Sequence, residues 1–306
     1  MVIKNDLNFK SDTPCVLALG CFDGVHLGHR EVLGTAKKIA DSRNLPLCVL
    51  TFEQPPRNFF SPSPVPLITS TEEKLGIFER LGVDIAVCLP LSRDILTVEA
   101  QDFVREILIK KLCAAHVVCG YDYGFGRGAK GNSALLTELC GEYGVGVTTV
   151  GEYKLDGTSV SSSLVRRTVA DGDMELSAKY LGRPYSLTSI VVDGQHLARR
   201  LGFPTVNIIP EENRLLPKRG VYVTKILFDN EIWYGITNVG IRPTVNTKIT
   251  CAETHIFDYH GDLYGKSITV EFLHFLREET KFPSVEAMAE QIEIDITVAK
   301  EYVRHF

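Results

Sequence analysis

An α/β module followed by an antiparallel β-barrel is the fold class this sequence predicts, on three observations. Short apolar runs alternate with amphipathic helical patterns through the first half of the 306 residues. The second half carries six strand patterns with little helix between them. One long amphipathic pattern closes the chain. Short apolar strands separated by helices imply a parallel sheet covered on both faces. Six consecutive strands and a terminal helix imply a barrel with a helix packed on it.

In the first half, strands are predicted at Cys15–Leu19, Leu47–Phe52, Ile85–Leu89, His116–Cys119 and Val145–Val150. After the first strand, Val32, Leu33, Ala36, Ile39 and Ala40 fall at helical spacing. Helices are also predicted at Glu72–Leu81, which opens with a Ser70/Glu73 capping box, at Gln101–Leu112 and at Ala134–Tyr143. The usual strand order for such a sheet, 3-2-1-4-5, places strands one and four side by side. Ligands then bind at the carboxyl ends of the strands, at the switch point. The Pro- and Ser-rich "PPRNFFSPSPVP" reads as a long loop on that same side.

In the second half the strands are predicted at Ser186–Val192, Thr205–Ile209, Val221–Phe228, Glu231–Asn238, Ala252–Phe257 and Ile268–Phe275, with "FDNEI" as a hairpin turn. The closing helix, Ser284–His305, puts Val285, Met288, Ile292, Ile296, Ala299 and Val303 on one face. The boundary is expected near Gly182–Tyr185, giving domains 1–182 and 183–306.

Composition excludes several classes. A net charge of −5 disfavours a general nucleic-acid or membrane-surface binder. The eight cysteines are scattered without a C-x-x-C pair, which fits buried thiols in a reducing compartment rather than a disulfide frame or zinc site. No run approaches the roughly 18 apolar residues of a membrane span, and "MVIKNDLNFKSD" lacks the apolar core of a signal peptide. A cytoplasmic protein with small-molecule partners is the expectation. The oligomeric state is not legible.

The chemistry concentrates at a few turns. "CFDGVHLGHRE" places His26 and His29, with Phe22, Asp23, Gly24 and Gly28, between the first strand and its helix. Glycines let a backbone approach phosphates, N–H groups at a helix start favour an anion, and imidazoles can donate to phosphate oxygens. Two histidines that merely cap a helix are the bland alternative, since an isolated H-x-G-H recurs by chance. "SVSSSLVRR" opens another helix with Ser161, Ser162, Ser163 and Arg166. Serine at an N-cap is ordinary. The functional alternative is a second set of N–H, hydroxyl and guanidinium donors for phosphates. The Gly-rich "CGYDYGFGRGAKGN" follows the fourth strand and is not a Walker A loop.

Taken together, "GCFDGVHLGHREVL", "GYDYGFGRGAKG", "SSSLVRR", "LGRPY", "LGFPTVNI", "GVY", "NVGIRPTV" and "FDYHGDLYGKSITVEFLHFLREETKFPSVEAMAEQI" resemble, in order and over nearly the whole chain, the motifs of the bacterial bifunctional riboflavin kinase/FAD synthetases. The resemblance implies a Rossmann-like nucleotidyltransferase domain and then a riboflavin kinase barrel. It implies ATP-dependent phosphorylation of riboflavin to FMN, then adenylylation of FMN to FAD with release of pyrophosphate, and Mg²⁺ as cofactor. By motif match, His26, Gly28 and His29 bind ATP phosphates and the two histidines act in catalysis, with Phe22, Asp23 and Gly24 in the same turn. Ser161, Ser162, Ser163 and Arg166 match a second phosphate segment. Asp122, Phe125 and Gly126 match a flavin and nucleotide loop. Gly202, Phe203, Pro204, Thr205 and Asn207 match the kinase nucleotide site, with Thr205 and Asn207 as oxygen ligands of Mg²⁺. Glu271, expected to share a strand face with Leu273 and Phe275, matches as the kinase's general base, a structural salt bridge being the alternative.

Three positions depart from the family pattern. Pro55 stands where a histidine is common, and Leu197 and Ala198 stand where a basic residue and a glycine are usual. The last two keep open a second reading, an adenylyltransferase whose barrel only binds flavin or serves as a scaffold. A third reading is another H-x-G-H adenylyltransferase with an unrelated partner domain, against which the second-half motifs argue.

Overall fold

A computed structural model of the chain describes residues 1–8, 10–11, 13–193, 202–243 and 248–304. Its contacts divide it into two compact units, Met1–Ser162 and Ser163–Phe306.

The first unit is built on a six-stranded parallel sheet of β1 (Val2–Lys4), β2 (Cys15–Leu19), β3 (Leu47–Phe52), β4 (Ile85–Leu89), β5 (Ala114–Gly120) and β6 (Gly146–Val150), in the order β1-β4-β3-β2-β5-β6. The expected 3-2-1-4-5 arrangement is therefore present, and β1 extends it at one edge. All five residues of β2 are buried, because both faces of the sheet are covered. Cys15, Leu17 and Leu19 enter one apolar cluster while Val16 and Ala18 enter the other, the period-2 signature of a strand.

Helix α1 (Leu27–Arg43) covers the second cluster with Val32, Leu33, Ala36 and Ala40. Helix α2 (Thr71–Arg80) joins it there through Ile77 and Phe78. The predicted capping box is formed: the Glu73 N–H donates to Ser70 Oγ at 3.1 Å and the Ser70 N–H donates to Glu73 Oε2 at 2.9 Å. A short helix, α3 (Arg93–Leu96), follows β4. The opposite face is covered by α4 (residues 100–111) and α5 (Ser133–Gly141). Helix α4 starts as Ala100–Asp102 and continues as a π-helix over Phe103–Lys111. Over so short a span Phe103, Val104, Ile107 and Leu108 fall on one face in either winding, so the sequence predicts the helix but not its type. The hairpin β7 (Lys154–Leu155) and β8 (Thr158–Ser159) ends the unit.

The second unit opens with α6 (Ser162–Asp171) and α7 (Met174–Leu181), and Gly182 caps α7 at φ 67°. A closed antiparallel barrel follows: β9 (Tyr185–Val192), β10 (Thr205–Ile208), β11 (Gly220–Phe228), β12 (Glu231–Pro243), β13 (Lys248–Ile256) and β14 (Ser267–Arg277), in the circular order β10-β13-β12-β11-β14-β9. The expected "FDNEI" turn is a tight hairpin with Asp229 and Asn230 at φ 49° and 64°. Tyr222, Thr224, Thr237, Thr254 and Phe272 fill the interior, where the Thr224, Thr237 and Thr254 hydroxyls bond in series at 2.8 Å.

The closing helix, α8 (Val285–Val303), starts at Ser284, whose hydroxyl accepts from the Ala287 N–H at 3.2 Å. It packs Ile292, Ile296 and Ala299 on Val221, Val223, Ile236 and Leu273 of the barrel's outer face. A bidentate ion pair fastens it: Arg277 Nε and Nη2 donate to the Asp295 carboxylate at 3.0 and 2.7 Å, and Gln291 Nε2 donates to the same group at 3.0 Å. The Asp295 side chain is only 5% exposed. Arg277→Ala, which strands that carboxylate, is expected to destabilise the second unit by about 3–5 kcal/mol in denaturant unfolding. A loss under 1 kcal/mol would show that α8 is held by apolar contact alone.

Candidate active sites

The turn after β2 is wound into an unusual path. Phe22, Gly24 and Val25 have φ of 54°, 83° and 40°, a left-handed geometry that costs free energy for the two non-glycine residues. The strain is held by surrounding bonds. The Asp23 carboxylate accepts from the Ile68 and Thr69 N–H groups at 3.0 and 3.2 Å, and Thr69 Oγ1 accepts from the Gly24 N–H at 3.1 Å. A Cβ on Gly24 would sit 2.9 Å from the Ile68 side chain. Asp23 thus fixes the shape of the turn through residues 68–69.

The turn delivers two imidazoles to the start of α1. His26 is the N-cap residue, and its Nδ1 accepts from the His29 N–H at 3.3 Å. In the neutral ring the proton is therefore on Nε2. The His26 and His29 rings stack at 3.6 Å, and Phe22 meets His29 edge-on at 5.3 Å. A side chain at Gly28 would press on the His26 ring at 3.2 Å and approach the Val160 carbonyl at 3.4 Å. Ser162, the last residue of the first unit, donates from its Oγ to the Asp23 carbonyl at 3.0 Å. Phe22, Asp23, Gly24, His26, Gly28, His29 and Ser162 are thus brought together at the carboxyl end of the sheet. Ser161 precedes α6, while Ser163 and Arg166 lie along it in the second unit.

The Gly-rich loop after β5 is organised differently. Phe125 is buried in the core against Phe103 at 5.5 Å and stacks on Tyr123 at 6.1 Å. Burial pushes the Tyr123 phenol far above its ordinary value. Gly126 has φ 71°, and a Cβ there would lie 2.9 Å from the Ala100 backbone, so the position requires glycine. Asp122 is exposed. The earlier loop after β3 is braced by Asn58, whose amide donates to the Val65 carbonyl and accepts from the Val65 N–H, both at 3.0 Å.

In the barrel, a cavity of about 240 Å³ lies between the outer face and α8. Phe203, Thr205, Asn238, Glu253, His255 and Arg277 are among its lining residues. Ladder register explains the grouping: Glu253 lies directly opposite both Asn207 and Asn238, and His255 lies opposite Thr205. Thr205 Oγ1 donates to Glu253 Oε1 at 2.7 Å. Gly202, Phe203 and Pro204 lead into this strand, Gly202 with φ 90°. His255 Nδ1 donates to the Pro204 carbonyl at 2.9 Å, since a carbonyl only accepts. Leu197 and Ala198 lie outside the described residues.

Burial holds the His255 pKa below the ordinary imidazole value. The folded protein then binds fewer protons than the unfolded chain over the interval below pH ~6.5. The His255 contribution to barrel stability is therefore complete above pH ~6.5 and is lost as the pH falls below it. His255→Gln should flatten that part of the stability–pH curve in urea unfolding between pH 5 and 7. An unchanged slope would mean that other groups set it.

Glu271 is placed elsewhere. It faces Lys225 across the β11–β14 ladder, with Lys225 Nζ 3.1 Å from its Oε2. Lys225 lies opposite Tyr234, four residues along β12 from Asn238. That is roughly 13 Å from the Glu253 row. The structure brings Thr205 and Asn207 together with Glu253 and leaves Glu271 in an ion pair. Sequence reasoning passed over Glu253. The signal available was "AETHIF", in which Glu253 and His255, two residues apart on a strand, must share a face.

A parallel α/β sheet ending in a strained, donor-rich helix start, followed by a closed barrel with a carboxylate-lined cavity, defines a two-module transferase. Comparison with known proteins gives the family. The FAD synthetase family matches residues 8–164 and the riboflavin kinase family matches residues 181–303. The bifunctional riboflavin kinase/FMN adenylyltransferase of Haemophilus influenzae is 36% identical over 94% of each chain. Those of Escherichia coli K12 and Bacillus subtilis are 35% and 34% identical, over 94% and 95% of this chain and 92% of theirs. The chain belongs to the bifunctional riboflavin kinase/FMN adenylyltransferase family and carries both transferase domains. A solved structure described as a macrolide-efflux protein from Streptococcus pneumoniae is 29% identical, with a TM-score of 0.88 over 100% of this chain and 99% of that one. Among the described residues no helix is long and apolar enough to cross a membrane.

Proposed function

We propose that the chain makes FAD from riboflavin in two ATP-dependent steps, each at its own site, with modules 1–182 and 183–306. The observation that carries the first site is the strained turn that sets His26 and His29, stacked at 3.6 Å, at the start of α1. A phosphate oxygen of FMN attacks the α-phosphorus of ATP, the bond to the β-phosphate bridge breaks, and pyrophosphate leaves. The turn's N–H groups and imidazoles stabilise the charge that develops, and positioning supplies the rest. Ser161, Ser162, Ser163 and Arg166 are assigned to the same phosphates. Asp122 and Gly126 remain assigned to the flavin and nucleotide loop, with Phe125 as its buried anchor.

In the second site the terminal ribityl hydroxyl of riboflavin gives up its proton to a base and attacks the γ-phosphorus of ATP, the bond to the β,γ-bridging oxygen breaks, and ADP leaves. The base is assigned to Glu253 rather than Glu271. Supporting this, Glu253 lines the cavity and holds the Thr205 hydroxyl at 2.7 Å, while Glu271 is paired with Lys225. Thr205 and Asn207 offer neutral oxygen donors suited to Mg²⁺, which would neutralise the nucleotide phosphates. The Thr205 oxygen can serve as a ligand through a lone pair while its O–H donates to the Glu253 carboxylate. Thr205 and Glu253 in one cavity, with Asn207 opposite Glu253 in the ladder, favour a working kinase over a scaffold barrel. A cytoplasmic location fits the eight free cysteines, six of them buried. Incubation with riboflavin, ATP and Mg²⁺ should yield FMN and then FAD, the second step being read by quenching of flavin fluorescence. Conversion of added FMN to FAD without phosphorylation of riboflavin would support the scaffold reading.

A further inference from the structure

We propose that Lys74 is a positioning residue of the adenylyltransferase, a buried cation that shapes the histidine turn and raises its affinity for the nucleotide's polyphosphate. Lys74 lies in the first turn of α2 and is 2% exposed, among the most buried large side chains of the chain. Its ammonium donates to the Phe52 carbonyl at the end of β3. It also donates to the Cys21 carbonyl, which opens the histidine turn, at 3.5 Å. Thr51 Oγ1 donates to that same carbonyl at 2.8 Å. Among the described residues no carboxylate lies within ion-pairing distance of Lys74. Its partners are backbone carbonyls at the carboxyl ends of two adjacent strands.

A lysine buried this deeply is costly unless its charge is compensated. Backbone carbonyls satisfy its hydrogen bonds but leave a net positive charge under the turn. The helix that carries it cannot drift. Asp23 binds the Ile68 and Thr69 N–H groups, Thr69 Oγ1 binds the Gly24 N–H, and the Ser70/Glu73 capping box starts α2 with Glu73 immediately before Lys74. The segment 68–74 therefore grips the turn at Cys21, Asp23 and Gly24, and Lys74 is the part of that grip that carries positive charge. Its spacing from Ile77 and Phe78 puts it on the apolar stripe of α2, where a hydrophobic residue would pack at lower cost. A cation held there is compensated when an anion occupies the turn, and the polyphosphate is the anion this site takes.

The inference rests on assigning the His26–His29 turn to nucleotide phosphates, so the test includes a variant of that turn. Lys74→Met keeps the methylene stem and removes the charge. In the full chain, the KM for MgATP in FMN adenylylation should rise about tenfold with a smaller change in kcat, and calorimetry should show pyrophosphate binding weakened by a similar factor. Riboflavin phosphorylation should be unchanged and the melting temperature shifted by less than about 4 °C. A normal KM and normal pyrophosphate affinity in Lys74→Met would overturn the proposal. So would a lowered melting temperature with normal ATP kinetics per folded molecule, the mark of a purely structural lysine. If Lys74→Met instead unfolds, Lys74→Gln, which retains a donor but no charge, is measured in its place against the same two outcomes. His29→Ala separates the two levels of the argument: unimpaired FAD formation there refutes the turn assignment itself, whereas loss there with a wild-type Lys74→Met refutes only the role of Lys74.

Discussion

Replacing His29 by alanine lowers FAD formation about 100- to 1,000-fold and leaves riboflavin phosphorylation intact. The size follows from geometry. His29 stacks on His26 at 3.6 Å and is held edge-on by Phe22 at 5.3 Å, so its ring is fixed before substrate arrives. A preorganised donor aimed at developing charge needs no reorganisation at the moment of reaction, and its removal is felt almost entirely in the rate. The backbone should survive the change, because the N-cap bond uses the His29 N–H and the His26 ring, and alanine keeps the former. Assay of both half-reactions on one preparation checks this. Equal loss of both activities would contradict two separate sites, and full retention of FAD formation would remove the histidine from the chemistry.

Glu253→Gln is expected to reduce FMN formation about 100- to 10,000-fold, the range of general-base catalysis, with FMN adenylylation unaffected. The amide is nearly isosteric and can still accept from the Thr205 hydroxyl, now bonded at 2.7 Å to Glu253 Oε1. What it cannot do is take a proton from the ribityl hydroxyl. The paired experiment is Glu271→Gln. There the loss is one partly exposed ion pair with Lys225, worth about 1 kcal/mol or less, and turnover per folded molecule stays near normal. The opposite pattern, with Glu271→Gln inactive and Glu253→Gln active, would return the base to β14.

The contrast between these two glutamates shows where a sequence stops being legible. Both occupy alternating strands next to apolar residues. Strand periodicity says which residues share a face, but not which row of the ladder meets a cavity, because that depends on pairing with Asn207, Asn238 and Lys225 far along the chain. The sheet was readable for the opposite reason. β2 and β3 are short, apolar except for Thr51 and bounded by turns, and parallel pairing with helical crossovers restricts their order. The edge strand β1 escaped notice, since three exposed residues, "VIK", carry no periodic signal. The histidine turn could be placed at a strand end from spacing alone. Its left-handed Phe22 and Val25 could not, because those angles are imposed by Asp23 and residues 68–69. Lys74 was visible only as a charge on an apolar stripe.

The closed barrel has a consequence for how the chain is made. Its first strand, β9, closes against its last, β14: the Thr188 and Thr269 hydroxyls, bonded at 2.9 Å, are 81 residues apart in sequence. On a ribosome that reads from the amino end, β9 emerges early and its final neighbour last, so the ring stays open while the intervening strands are synthesised. The parallel sheet ends at β6 and has every strand in hand well before then. Domains fold as units during synthesis, and pairings between distant segments form slowly. The nascent protein therefore passes through a stage in which the first unit can be complete while the second presents unpaired strand edges. Unpaired edges are templates for pairing with other chains, so aggregation is favoured most in that interval.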